Sequence, residues 1–265
     1  MTNHWYSTYS EAALLVSITN RIIKFGINQE FCKDNPMEKV IRPKNTHKKP
    51  YKPPFFEKDE LLIFLKAVEE NESLKAYTMF HTLAFTGLRR GELFSLQWRD
   101  IDFDRKTLSV NRNLIYNEIE KRFEYTTPKT KSSKREIGID NHTIQVLLKW
   151  RNYQREFFLG RGININNPTQ LIFTSVNNHY MSDSYLRRII KRVTINNDLP
   201  HITVHGFRHT HCSLLFEAGI EMNQVKDRLG HSDIQTTMNI YAQVTKMVRS
   251  KTADLFSDFM SESSL

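Results

Sequence analysis

The sequence predicts a mainly α-helical fold with a small three-stranded antiparallel sheet on one side. Long stretches place apolar residues three and four apart, a central stretch shows two-residue alternation instead, and turn-forming residues separate the two patterns. With 265 residues and 39% hydrophobic content, the chain can build one large core and a small appended segment.

The elements follow in chain order. Ser10 to Phe25 reads as an amphipathic helix with Ala12, Leu15, Ile18, Ile22 and Ile23 on one side, in a segment too short to fold alone. Ile41 to Pro54 mixes prolines with Lys and Arg, the composition of an extended linker. These features divide the chain into a partial helical segment over residues 1–40, a basic linker over 41–55 and a main domain over 56–265. That domain opens with a helix carrying Leu61, Leu62, Phe64, Leu65 and Val68, then a second over Tyr77 to Phe85 that Gly87 ends, then a short third carrying Glu92, Leu93 and Leu96. Strand alternation covers Thr107–Val110, Phe123–Thr126 and Arg135–Ile139, with the turn Thr127–Lys134 joining the last two. Helical patterns resume over His142–Phe158, Asp183–Val193, Gly206–Ala218, Met222–Leu229, Ile234–Ala242 and Val248–Met260.

Charge narrows the function. Lys and Arg outnumber Asp and Glu by 38 to 29, a net charge of +9 that favours a polyanionic partner, nucleic acid first. Cys32 and Cys212 lie far apart in sequence and supply neither a disulfide framework nor a zinc signature, which suits a reducing cytoplasm. The short apolar runs and the N-terminal residues show neither a membrane span nor a secretory signal.

Several short motifs carry chemistry. His205 and Arg208 in His-Gly-Phe-Arg stand three apart on one face of a helix start, where free backbone N–H groups and the positive end of the dipole add to their pull on a phosphate. A capping histidine and a surface ion pair account for the same two residues. In Thr86-Gly-Leu-Arg-Arg-Gly-Glu92, Arg89 offers a second planar clamp that keeps its proton near neutral pH, and Glu92 is placed to orient it, whereas Arg90 fits an exposed charge pair. Leu229-Gly-His231-Ser232 and, ten positions after His231, Tyr241 complete the set. Taken alone, Tyr241 reads as a packing residue.

Together and in this order, the Thr-Gly-Leu-Arg-x-x-Glu box ending at Glu92, the Pro-Lys-Thr turn at Lys129, the His-x-x-Arg box at Arg208, the Leu-Gly-His-Ser box at His231 and the segment around Tyr241 resemble the catalytic domain of the tyrosine recombinase (phage integrase) family. The resemblance is strongest to integrases of phages and conjugative elements of Gram-positive bacteria and runs from about Phe56 to Met260. Any one box is common; five in order are specific. The first fifty residues resemble only the last helices and linker of the family's core-binding domain, so the chain is expected to be N-terminally truncated.

The resemblance implies a site-specific recombinase that needs neither cofactor nor metal. Tyr241 would attack the scissile phosphate to give a 3′-phosphotyrosine and a free 5′-hydroxyl, while Arg89 and Arg208 bind the non-bridging oxygens. It further implies that Lys129 protonates the leaving oxygen, His205 assists proton movement at the tyrosine, and His231 hydrogen-bonds the phosphate. Lys131 and Lys134 share the loop of Lys129 and compete for its role or contact DNA. Arg135, Arg187, Arg188, Lys191 and Arg192 are expected to supply salt-sensitive backbone contacts. The implied partners are double-stranded DNA attachment sites, three further copies in a synaptic tetramer, and accessory proteins that set direction or bend DNA. In such a tetramer a C-terminal helix with Leu255, Phe256, Phe259 and Met260 on one stripe docks on a neighbouring copy or packs on its own core.

His205, His209 and His211 do not read as a metal site, because Arg208 among them repels a cation and no carboxylates cluster nearby in sequence. Two rival functions stand beside the recombinase. A type IB topoisomerase shares the tyrosine chemistry but usually carries lysine where His205 stands, and a non-catalytic DNA-binding relative has no need of the full residue set.

Overall fold

The computed structural model describes residues 12–39, 54–126 and 134–230, together with Met238. The chain divides into two compact units, residues 1–52 and 53–265.

In the first unit, helix α1 (Ala12–Asn28) is followed by a 3-10 turn at Pro36–Lys39. The Asn35 amide donates to Asn20 Oδ1 at 2.7 Å, and Asn35 Oδ1 accepts from Met37 N at 3.1 Å, tying the turn back to the helix. Ile18, Ile22 and Phe25 of its apolar stripe are exposed.

The second unit is built on α2 (Lys58–Asn71), α3 (Leu74–Thr86), α4 (Arg90–Ser95), α5 (Asn141–Leu159), α6 (Ser184–Asn196), α7 (Gly206–Glu217) and α8 (Met222–Leu229). Helix α3 is its centre. Ser73 caps it by accepting from Ala76 N at 3.2 Å, and nearly every side chain along it is buried because α2, α5 and α7 pack around it. Phe56, Phe64, Phe80 and Phe207 form the heart of the core, with neighbouring ring centroids 5.1–5.9 Å apart. Such tilted and edge-on pairs add about 0.5–1.5 kcal/mol each beyond their area burial. The two core tryptophans satisfy their indole N–H groups, Trp98 on Gln154 Oε1 at 2.8 Å and Trp150 on Ile172 O at 2.7 Å.

The sheet is three-stranded and antiparallel, as expected, but its membership differs from the sequence reading. Strands β1 (Ile101–Asp102), β2 (Thr107–Val110) and β5 (Arg135–Gly138) make it, in the order β1-β2-β5, with Leu108 opposite both Ile101 and Ile137. The Phe123–Thr126 pattern belongs instead to a separate hairpin of β3 (Asn113–Asn117) and β4 (Arg122–Thr126). The reason is local: Asn117 Oδ1 accepts from the N–H groups of Ile119 and Glu120 at 3.0 and 3.1 Å, an Asx-type turn that folds β4 back onto β3. Apart from Met238, which is helical, the helical patterns expected over Ile234–Ala242 and Val248–Met260 lie outside the described residues.

Candidate active site

Ends of five elements converge on one place. Gly87, at a φ of 65°, closes α3 and turns the chain so that Arg89 caps α4. His205 and Arg208 open α7, Arg135 opens β5, and Leu229 and Gly230 end α8, with Gly230 at a φ of 64°. Gly87 is required there twice over. Its φ is one that side-chain-bearing residues rarely adopt, and a Cβ would lie 2.6 Å from both His211 Cδ2 and Leu229 Cδ2.

Arg208 is 2% exposed, the largest fully buried side chain among the described residues. It donates from Nη1 to Gly87 O at 2.8 Å and from Nη2 to Leu229 O at 2.6 Å, so two helix ends present carbonyls to one guanidinium. Burial, followed by the charge of Arg89, lowers its pKa to about 9, which still leaves it protonated near neutral pH.

Glu92 organises the neighbouring arginines. Its Oε2 accepts from Arg89 N at 2.8 Å and from Arg135 Nη2 at 2.9 Å, and its Oε1 accepts from Arg89 Nη1 at 2.8 Å and Arg135 Nη1 at 3.1 Å. Burial by itself raises the Glu92 pKa, but the hydrogen bonds and charge of Arg135 and Arg89 outweigh it and hold the carboxyl below its usual range. Arg89 also donates from Nη2 to Gly230 O at 3.1 Å. Two guanidiniums bond this carboxylate and the charge of Arg208 acts on it as well, leaving an excess of positive charge in a mostly dry setting, a preorganised receptor for an oxyanion. Arg89, with its side chain 36% exposed, is the member that opens to solvent.

Of the sequence-predicted residues, Arg89, Glu92, His205 and Arg208 come together. Lys134 is exposed, and Lys129, Lys131, His231 and Tyr241 lie outside the described residues. Arg135 was expected on the DNA-facing surface; its side chain is instead 5% exposed, paired with Glu92 and donating from Nε to Arg228 O at 2.7 Å. Arg187, Arg188, Lys191 and Arg192 do stand exposed on α6, with Arg187 paired to Asp183 at 2.8 Å and Arg192 to Glu72 at 2.6 Å. Although His205 is exposed, crowding of protein around its ring lowers its pKa, and Arg208 and Arg89 push the same way.

Arg228 carried no signal in the sequence, and His211 was considered there only as a metal ligand. Arg228 donates to Gly138 O, Phe85 O and His211 Nε2 at 3.0, 2.9 and 3.1 Å, stitching α8 to β5, α3 and α7. His211 faces Ala84 O through Nδ1 at 2.8 Å, and burial, followed by Arg228, lowers its pKa to about 3. It is a neutral structural histidine. Among the described residues no three His, Cys, Asp or Glu side chains gather in a metal-binding group, and no helix is long and apolar enough to cross a membrane.

Comparison with known proteins places this geometry. The profile of the phage integrase family matches residues 54–247. The chain is 31% identical over 247 residues to the ICEBs1 integrase of Bacillus subtilis (strain 168), covering 93% of this chain and 65% of that protein. It is 35% identical over 211 residues to a XerC-like tyrosine recombinase of Caldanaerobacter subterraneus subsp. tengcongensis, covering 76% of this chain and 53% of that protein. The chain therefore spans about half to two thirds of the length of these relatives. In three dimensions it resembles the Tn1549 transposon integrase in complex with a circular intermediate DNA, with a TM-score of 0.74 at 20% identity over 94% of this chain and 82% of that one.

Proposed function

This chain belongs to the phage integrase family, and from that premise we propose that it is the catalytic part of a site-specific DNA recombinase that cuts and rejoins strands through Tyr241. The observation that carries the reading is the buried Arg89–Glu92–Arg135 network beside Arg208, because phosphoryl transfer needs fixed positive charge where the pentacovalent phosphate gains negative charge.

In this reading Arg89 and Arg208 take the two non-bridging oxygens of the scissile phosphate. Glu92 and Arg135 act through Arg89, holding its fork in place. The Tyr241 hydroxyl attacks phosphorus, its proton passing toward His205, and the bond to the 5′ oxygen breaks as Lys129 delivers a proton to it. His231 donates to the phosphate. One phosphodiester becomes one 3′-phosphotyrosine ester plus one 5′-hydroxyl, so the bond energy is stored and the reverse step needs no nucleotide or metal. Lys131, Lys134 and the α6 residues Arg187, Arg188, Lys191 and Arg192 grip backbone phosphates without reading sequence.

Residues 1–40 serve in this proposal as the last part of a DNA-clasping helical domain, 41–55 as a linker and 56–265 as the catalytic domain. The working assembly is a tetramer on two attachment sites in the cytoplasm, with accessory proteins choosing between integration and excision.

A nicked duplex spanning the parent element's ends, incubated in chelator without nucleotide and run on a denaturing gel, tests the reading. The expected result is a covalent DNA–peptide adduct mapping to Tyr241, absent in Tyr241→Phe although that variant still binds DNA, and formed about a hundredfold or more slowly by Arg208→Ala. An adduct on another residue, or none from the unaltered chain, overturns it. A two-site recombination assay beside a supercoil-relaxation assay separates recombinase from topoisomerase.

A further inference from the structure

A second arginine-rich site stands apart from the catalytic cluster. Arg99, in the 3-10 turn at Trp98–Asp100, and Arg151 and Arg155, one turn apart on α5, line a cleft of about 230 Å³ together with Trp98, Asn166 and Asn167. None of its lining residues belongs to the Arg89–Glu92–Arg208 group, and Arg99 lies past the far end of α4 from Arg89.

Three features set this cleft apart from the ordinary basic surface. Among the described residues no carboxylate pairs with Arg99, Arg151 or Arg155 and none lines the cleft, so its three guanidiniums share one space without a counter-charge. Arg151 and Arg155 are also like charges at i and i+4, an arrangement that costs stability unless an anion sits between them. Lastly, part of the cleft is preset. The Arg151 guanidinium lies 5.4 Å from the ring centroids of both Trp98 and Phe103, and Arg155 Nη2 donates to Asn166 Oδ1 at 3.1 Å. Stacking and hydrogen bonding of this kind limit the rotamers that would otherwise be lost on binding. The volume equals that of several water molecules, enough for a tetrahedral oxyanion.

We infer that this cleft binds a phosphate group, with Arg99, Arg151 and Arg155 as its ligands, independently of the catalytic centre. Guanidinium forks match the paired oxygens of a phosphate in two-pronged, charge-assisted contacts. The phosphate comes either from a nucleic-acid backbone or from a free phosphate or pyrophosphate. The assignment stands whether or not Tyr241 reacts.

The double variant Arg99→Gln/Arg155→Gln tests it in the full chain, since both side chains are exposed and the Arg151 stack on Trp98 is left intact. One arm measures affinity for a long duplex across a salt series. A backbone phosphate in the cleft predicts that the slope of log K against log salt falls in magnitude by about 0.9 for each phosphate the variant no longer neutralises. The other arm measures the rise in melting temperature on adding inorganic pyrophosphate. A free anion predicts that the rise shrinks in the variant while the DNA slope stays unchanged. Arg105→Gln/Arg122→Gln, at two exposed positions with no assigned part in DNA binding, is the control for a general loss of charge. An unchanged slope together with an unchanged pyrophosphate response overturns the inference, as does an effect that this control reproduces. Adduct formation at Tyr241 on the same preparations reports on the recombinase reading separately.

Discussion

Arg208 and Arg192 are the same side chain in two settings. Arg208 is sealed at the junction of α3, α7 and α8, hydrogen-bonded to carbonyls of Gly87 and Leu229, and surrounded by the charges of Arg89, Arg135 and Glu92. Arg192 stands on the outside of α6, its side chain 55% exposed and bonded to Glu72. In the first setting water has been replaced by fixed dipoles and ions, so the guanidinium cannot relax and its charge acts at full strength on whatever enters. In the second, solvent and salt screen the charge, and its contribution to stability is about 0–1 kcal/mol. Position in the fold, not residue type, separates catalytic charge from steering charge.

The largest expected effect breaks the buried network. Glu92→Gln leaves Arg89 and Arg135 without their shared carboxylate and costs about 3–5 kcal/mol of folding stability, whereas Glu72→Gln, its counterpart at Arg192, costs about 1 kcal/mol or less. Urea unfolding of the two variants beside the parent chain measures both. Equal midpoints would erase the distinction between the two settings.

Acid provides an intermediate test. His211 beside the buried network and His81 within α3 have pKa values lowered by burial to about 3 and about 4, against about 6.5 in an unfolded chain. The unfolded state therefore binds more protons than the folded one between those values. Stability is fully present above about pH 6.5 and falls as pH drops toward 4, by up to about 1.4 kcal/mol per pH unit for each histidine. Glu92, with its folded pKa depressed, adds a loss of the same sign at lower pH, as it protonates. Urea midpoints measured from pH 7 down to pH 4 follow this decline, and a flat profile would contradict the neutral, buried assignment.

Arg192→Ala gives the smallest effect and sharpens the other side of the comparison. Stability should shift by no more than about 1 kcal/mol, and the salt slope of DNA binding by about 0.9 if that side chain meets a phosphate. A filter-binding series at several salt concentrations reads the slope. A fall in single-turnover cleavage with DNA saturating would move Arg192 from the steering group to the reacting group.

Local patterns made much of this protein legible. Periodicity located α2, α3, α5, α6, α7 and α8 to within a few residues, because a helix that buries one face must repeat its apolar residues every three or four positions. The Thr-Gly-Leu-Arg-x-x-Glu and His-x-x-Arg boxes singled out Arg89, Glu92, His205 and Arg208, since each box is a helix start whose side chains project to one side. The β3–β4 hairpin was misassigned because Asn117 builds its turn through side-chain hydrogen bonds, without the Gly or Pro that marks a turn in sequence.

By itself, then, the sequence determined the helical core, the segments that become β2, β4 and β5, and the local motifs that belong to the phage integrase family, all of which are set by interactions between residues near in the chain. Only the tertiary structure decided that Arg135 turns inward to Glu92, that Arg228 ties α8 to three other elements, and that Arg99 meets Arg151 and Arg155 across one cleft. Arg135 and Glu92 are 43 positions apart and Arg228 and Phe85 are 143 apart, and no local pattern encodes which distant partner a long cationic side chain will reach once the core has set its direction.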